Sequence, residues 1–423
     1  MAFTFIHAAD IHLDSPLHGL QRYDGAPVDA IRQSTREALK RLVDLAIARR
    51  VNFVVIAGDL YDGDWRDYKT GLFFVAQSQR LQEAGIPLFL IAGNHDAQNL
   101  MTKSLTLPKN TTLLSADRPQ TVHLDDLGVA IHGQSFATRA VFDDLSTAYP
   151  PGVRGLFNIG VLHTCGATGG EGHEPYAPCT FDGLKSRQYQ YWALGHVHQR
   201  AVLLEDPVVT FAGNIQGRHI RETGPKGCWL VTVDDHQRAT LNFEPLDVLR
   251  WERTAIPIDA ITHEDDLWPA VSQQLSQLEH AAEGLPLAVR IVLTGTSTLH
   301  DRLHARRDHI VNQIRSVGLQ AGGGRIWIEK VSLHTQPPRR TEATPSVDDG
   351  PWDELTTVIA ELRSNPDDFQ TVSGDIVELC QRWADIDLAA LGLDAVNVEQ
   401  RTALLDEVEA LLWSRLAPAE DDA

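Results

Sequence analysis

Apolar and polar positions alternate along the first 240 residues on two different periods. Phe3 to Ala9 is a short apolar run that ends in a polar loop. Asp29 to Arg50 places Ile31, Leu39, Leu42, Val43 and Ala46 on one side at helical spacing, which predicts an amphipathic helix. Asn52 to Ala57 (NFVVIA) is β-branched and continuously apolar, and it stops at Gly58. Asp67 to Ala84 reads as a second helix, ended by Gly85. Ile86 to Ala92 (IPLFLIA) repeats the strand pattern and ends at Gly93, and further strands are expected at 129–132, 157–162, 191–194 and 208–211. Strands without polar alternation are buried on both faces, so their interleaving with helices predicts a layered α/β core.

The pattern changes after residue 246. Strands near 253–258, 288–294 and 325–334 alternate with helices near 264–282 and 301–317, a small β-α-β-α-β module. Thr335 to Gly350 (TQPPRRTEATPSVDDG) is rich in Pro and Thr, lacks periodicity and reads as a linker. Three short helical stripes follow it: Leu355, Val358, Ile359 and Leu362; Ile376, Leu379, Cys380 and Trp383; Leu405, Val408, Leu412 and Leu416.

Charge changes the picture only once it is located. The 423-residue chain carries a formal net charge of −20, which argues against a protein that grips nucleic acid by charge alone. Residues 341–423, however, hold twenty acidic side chains against four basic ones and account for sixteen of those charges. The rest is only slightly acidic, and residues 301–340 are basic, with eight Lys or Arg against three Asp or Glu. No apolar run approaches the ~18 residues of a membrane span. The first residues lack the basic start of a signal peptide, and the four cysteines are widely spaced. The expectation is reduced thiols in a cytoplasmic protein, without membrane attachment.

The chemistry is concentrated at the ends of the expected strands. Five polar clusters stand there: Asp10-Ile11-His12, Gly58-Asp59-Leu60-Tyr61-Asp62, Gly93-Asn94-His95-Asp96, Leu162-His163 and Gly195-His196-Val197-His198. Each alone is a weak signal, and five in order are not. In α/β sheets the loops after the strand C-termini build the active site. Asp, His and Asn donors without a thiolate suit Mn²⁺, Fe²⁺ or Zn²⁺ and argue against a structural zinc site. Seven candidate ligands are too many for one ion and suit two ions sharing a carboxylate, an arrangement that serves in-line phosphoryl displacement.

This set resembles the calcineurin-like metallophosphoesterases over roughly residues 1–240. The resemblance implies an α/β fold, a β-sandwich flanked by helices (αββα). It implies Asp10, His12 and His198 as ligands of one metal and Asn94, His163 and His196 as ligands of a second, with Asp59 bridging. His95 matches a position that faces the scissile phosphate without ligating, and Asp96 is expected to orient it. The opening Phe5-Ile6-His7-Ala8-Ala9-Asp10-Ile11-His12-Leu13-Asp14-Ser15-Pro16-Leu17 is similar to the bacterial YhaO family, which belongs with the SbcD-type nucleases. The stretch Gly213-Asn214-Ile215-Gln216-Gly217-Arg218-His219, continuing to Glu222, Gly224, Lys226 and Gly227, is similar to the same family. Asp62 stands where several such nucleases carry a His near substrate. Arg218, His219 and Arg221 are further candidates for contact with a phosphate backbone.

The resemblance implies a catalytic domain over 1–245, a capping domain over 246–335, a linker over 336–350 and an acidic, partner-binding helical tail over 351–423. It implies a nuclease that uses two divalent ions, Mn²⁺ first among Mn²⁺, Fe²⁺ and Zn²⁺, and acts on DNA in repair or end processing. A coiled-coil ATPase of SbcC/YhaN type would bind the C-terminal helices, and a homodimer is in keeping with the family. A phosphomonoesterase or small-nucleotide phosphodiesterase on the same fold, and a catalytically silent scaffold, are the competing readings, because a metal site does not encode substrate size.

Overall fold

The computed structural model describes residues 2–15, 27–62, 68–97, 106–166, 175–338 and 350–381, and several positions between 398 and 412. Packing divides the chain into two compact units. The first comprises Met1–Arg253 with Glu279–Val289 and Arg325–Glu329. The second comprises Thr254–Leu278, Arg290–Gly324 and Lys330–Ala423.

The first unit is built on two six-stranded sheets. The first sheet contains β1 (Phe3–Ala8), β2 (Phe53–Ala57), β3 (Leu88–Ile91), β4 (Thr111–Leu113), β11 (Gly227–Val233) and β12 (Ala239–Pro245), in the order β12-β11-β1-β2-β3-β4. The second contains β5 (Gln120–Leu124), β6 (Val129–Gly133), β7 (Phe157–His163), β8 (Tyr191–Gly195), β9 (Ala201–Glu205) and β10 (Val208–Phe211), in the order β5-β6-β7-β8-β10-β9. In each sheet the central strands are parallel.

The two-residue period of a strand decides which layer each side chain joins. Phe5, Phe53, Val55, Phe89 and Ile91 meet Ile131, Phe157, Ile159, Val161 and Tyr191 in one cluster between the sheets. Their neighbours Ile6, Val54, Ile56, Leu88 and Leu90 point the other way and pack with Ala38, Leu39, Leu42, Phe74 and Leu81 from helices α1 (Val28–Arg49) and α2 (Tyr68–Glu83). On the far face of the second sheet Leu162, Trp192 and Leu194 are covered by Tyr149, Tyr189 and Leu184, the last from the short helix α3 (Phe181–Ser186). Strands buried on both faces carry no polar alternation, which is why their sequences read as unbroken apolar runs. The edge strands β4, β5, β9 and β12 carry half-buried positions, which weaken the hydrophobic signal that reveals a strand, while the interior strand β11 is buried and was not expected either.

Beyond residue 246, β13 (Arg250–Pro257), β14 (Leu287–Thr296) and β15 (Ile326–Gln336) form a three-stranded sheet. Helix α4 (Glu264–Ala281) connects the first two strands. The single helix expected near 301–317 is two, α5 (His300–Ala305) and α6 (Arg307–Ala321). Helices α7 (Gly350–Ser364) and α8 (Pro366–Gln381) follow. Within this unit Arg363 pairs with Glu409 at 2.5 Å and also with Asp406. Most of the expected linker, Trp383, Leu416 and the side chains of Ile376, Leu379 and Cys380 lie outside the described residues. Among the described residues no helix is long and apolar enough to cross a membrane.

Candidate metal centre

The candidate ligands lie just past the C-termini of five parallel strands of the first unit. Asp10 and His12 follow β1, Asp59 and Asp62 follow β2, and Asn94, His95 and Asp96 follow β3. His163 ends β7, and His196 and His198 follow β8. Backbone hydrogen bonds lash these loops together. Asp10 N–H donates to Gly58 O at 3.1 Å, His12 N–H to Asp59 O at 3.0 Å and Thr164 N–H to Gly195 O at 3.0 Å. The side chains join the lacing: His196 N–H donates to Asp10 Oδ1 at 2.9 Å, and His95 N–H to Asp59 Oδ1 at 3.0 Å.

Four candidate ligands, Asp10, His12, Asp59 and His196, have positive φ, at 50°, 46°, 51° and 98°. Side-chain-bearing residues rarely adopt this region, and its cost of order 1–3 kcal/mol per residue is characteristic of functional sites. Gly93 shows how tightly the loops approach. A Cβ there would fall on the Asp59 carboxylate and on His163.

Three donor groups result among the described residues, and one of them, His12, Asp62 and His95, shares His12 with the first of the two that hold the expected ligands. In the first, one ligand atom each from Asp10, His12 and His198 lies within 4.8 Å of the others. His12 Nε2 and His198 Nε2 face each other at 3.0 Å. His198 Nδ1 meets Glu222 Oε1 at 2.8 Å, so the proton sits on Nδ1 and the Nε2 lone pair points into the cluster. In the second, Asp59, His163 and His196 converge in the same way. Asn94 Oδ1 stands 2.9 Å from His163 Nε2 and 3.2 Å from His196 Nδ1. His163 Nδ1–H donates to Ala57 O at 3.0 Å, which turns Nε2 inward.

Asp59 lies between the clusters. Its Oδ2 is 3.4 Å from His163 Nε2 and 3.8 Å from His12 Nε2. Converging lone pairs on imidazole, carboxylate and amide, buried from water, fit divalent cations of the Mn²⁺, Fe²⁺ or Zn²⁺ type. The structure thus brings Asp10, His12 and His198 together in one group and Asp59, Asn94, His163 and His196 in another.

Burial and mutual charge set the protonation states of these groups without cations. Burial pushes Asp10 up and His12 down. Asp59 is held well below the usual carboxylate range against its burial, chiefly by His163. His163 is raised to about 9 although burial opposes it, because Asp59 favours its charged form. A bound cation replaces this internal pairing with metal–ligand bonds, so metal binding must release protons.

The residues around the clusters correct two expectations. Asp96 does not orient His95. Its buried carboxylate accepts the backbone N–H groups of Tyr61 at 2.8 Å, Leu60 at 3.0 Å and Gly93 at 3.1 Å, and so ties the β2 and β3 loops together. Burial, reinforced by Asp59, raises Asp96 to about 7 against those donors. Asp62 is the carboxylate beside His95 instead, with Oδ1 at 2.8 Å from His95 Nδ1 as a charge contact. That contact raises His95 above the ordinary imidazole value although burial acts the other way.

Arg218 was expected to face a phosphate backbone. Its side chain is only 11 % exposed and is committed to Glu222 at 2.9 Å and Asp62 at 3.2 Å. His219 and Arg221 remain on the surface, joined by an Arg221 N–H to His219 Nδ1 bond of 3.3 Å. Sequence reading did not single out Glu222 or Ser15 as site residues. Glu222 anchors both His198 and Arg218, and Ser15 donates to Asp62. The one available signal for Glu222 was its place in a charged, Gly-rich stretch after the last His motif.

Comparisons with known proteins agree with this geometry. Residues 3–200 match the calcineurin-like phosphoesterase family, and residues 251–336 match the middle domain of the metallophosphoesterase YhaO. The chain is 37% identical over 298 residues to a Bacillus subtilis protein described as the uncharacterized metallophosphoesterase YhaO, covering 70% of this chain and 72% of that one. It is 27% identical over 219 residues to the DNA double-strand break repair protein Mre11 of Sulfurisphaera tokodaii, covering 49% and 53%. It is 25% identical over 290 residues to the protein of that name from Saccharolobus solfataricus, covering 62% and 70%. A dinuclear donor set on two packed sheets, with matches that run through its motifs and on into the module behind them, makes this chain a member of the calcineurin-like metallophosphoesterases of the YhaO type.

Proposed function

We propose that the protein is a DNA nuclease that hydrolyses phosphodiesters with two divalent cations, Mn²⁺ first among the candidates. The observation that supports it most is the pairing of two donor clusters with a further imidazole, His95, beside them. The Mre11 proteins among its relatives carry a DNA double-strand break repair name and direct the choice of substrate.

Cations held by Asp10, His12 and His198 and by Asn94, His163 and His196, with Asp59 between, would polarise the phosphate and lower the pKa of a water ligand. The protein's own part is positioning and proton transfer. The Asp62 carboxylate beside His95 favours the imidazolium, which carries a transferable proton. Water adds to phosphorus and gives up a proton to solvent, the bond to the leaving oxygen breaks, and His95 supplies the proton that oxygen needs. Glu222 keeps His198 in the ligating tautomer.

The partner reading extends the same proposal. The helices after residue 350 would engage a coiled-coil ATPase of SbcC/YhaN type in the cytoplasm, with a homodimer as the assembled form. Val358 and Val372 on α7 and α8 are exposed apolar positions suited to a protein partner.

The test is purified protein with Mn²⁺ on linear duplex DNA, single strands, a small phosphodiester and a phosphomonoester. Hydrolysis of DNA that stops on chelation and returns with metal supports the nuclease. Turnover of only the small esters would replace it with the phosphatase reading, and no turnover would favour the scaffold.

A further inference from the structure

Aromatic rings lead outward from the second donor cluster. Tyr176 lies with its ring centroid 5.8 Å from that of His196, and Phe142 lies 5.6 Å beyond Tyr176. Tyr176 is half-buried against the small cluster of Ala97, Phe136 and Ala177. Phe142 is 63% exposed and is the only exposed phenylalanine among the described residues. Lone surface apolar groups are common and need no explanation. This one differs in its place, because one ring joins it to an imidazole of the candidate metal centre. Both ring spacings fall within the range of about 4.5–7 Å at which aromatic groups favour each other.

We propose that Phe142 and Tyr176 form a stacking platform for the nucleobase next to the phosphodiester held at the metal centre. The proposal rests on the nuclease reading and names the part of the substrate that reading leaves open. Every nucleobase has a π-face, so the platform would accept any base without hydrogen-bond readout. It would act on an unpaired nucleotide, because a base within a duplex is already stacked on its neighbours. The phosphate would be fixed at the metals and the base at the aromatic pair, two anchors that orient the bond between them.

The test uses Mn²⁺-loaded full-length protein and single-stranded oligonucleotides, intact or with one abasic site at each position flanking the cleaved bond. Phe142→Ala should lower kcat/KM on the intact strand about 5- to 100-fold. Phe142→Trp should stay near wild type. For wild type, an abasic site at one flanking position should cost a similar factor, and Phe142→Ala should lose nothing further there. Tyr176→Ala should show the same loss of base discrimination, with metal content and melting temperature measured beside it. Equal losses on intact and abasic strands, or no loss on either, would overturn the platform while leaving the nuclease standing. Wild-type protein that cleaves no strand would remove the nuclease reading and this proposal together.

Discussion

His95 Nδ1 and Asp62 Oδ1 stand 2.8 Å apart, although one follows β3 and the other β2. The contact keeps the His95 imidazole charged at higher pH than an isolated one, against the effect of burial. Asp62→Asn removes that support. Its His95 loses its proton at lower pH, so the basic limb of the kcat–pH profile should move to lower pH. We expect kcat at pH 8 to fall roughly 10- to 100-fold, with metal content unchanged. An unshifted limb would show that His95 draws no help from Asp62. His95→Asn should abolish the limb altogether.

Glu222 acts on the other side of the site. It fixes the His198 tautomer through a 2.8 Å contact and holds Arg218. Residues of this kind typically change metal affinity about 10- to 100-fold when replaced. Glu222→Ala should therefore weaken one of two Mn²⁺ binding events in calorimetry by that factor and leave the other intact. Two equally weakened events would point to a general loss of structure instead.

Gly93 has no room for a side chain, since a Cβ would strike the Asp59 carboxylate and His163. Gly93→Ala forces either the β3 loop or the bridging carboxylate to move. Overpacking of this kind costs about 1–3 kcal/mol. The expected outcome is a lower melting temperature together with loss of stoichiometric metal binding. Normal binding of two equivalents would mean that the loop yields without disturbing Asp59.

His7 ties pH to stability. It is fully buried, with Nδ1 3.0 Å from Tyr191 Oη and Nε2 donating to Leu194 O at 3.2 Å. Burial lowers it to about 3, despite the carbonyl contact that favours its charged form. A lowered imidazole is neutral in the fold and protonated in the unfolded chain. Its contribution is full above pH 6.5 and is lost as pH falls from 6.5 towards 3, by up to about 1.4 kcal/mol per pH unit. His7→Gln keeps a donor for Leu194 O and does not titrate. Urea midpoints should show the variant less stable at pH 7 and the gap closing towards pH 4. A constant gap would mean that His7 titrates normally.

Removing residues 341–423 tests the tail. The truncated protein should retain metal-dependent hydrolysis and no longer co-purify with a coiled-coil ATPase partner. Continued co-purification would assign the interaction to another surface.

The strands β1, β2, β3, β6, β7, β8 and β10, helices α1 and α2 and the seven candidate ligands were legible in the chain itself. Strands buried on both faces are unbroken apolar runs, and the parallel order of β1, β2, β3, β7 and β8 sends the polar residues after each to one edge. Tertiary structure decided which side chains serve the site from a distance. Asp96 follows His95 directly, yet its carboxylate turns away to three backbone N–H groups. Asp62 and Glu222 come instead from other loops to meet His95 and His198. A ligand motif is local, because each loop presents its own donors at the end of its own strand. A supporting contact has no sequence spacing, because it depends on which loops the two sheets bring side by side, and so it appears only once the chain has folded.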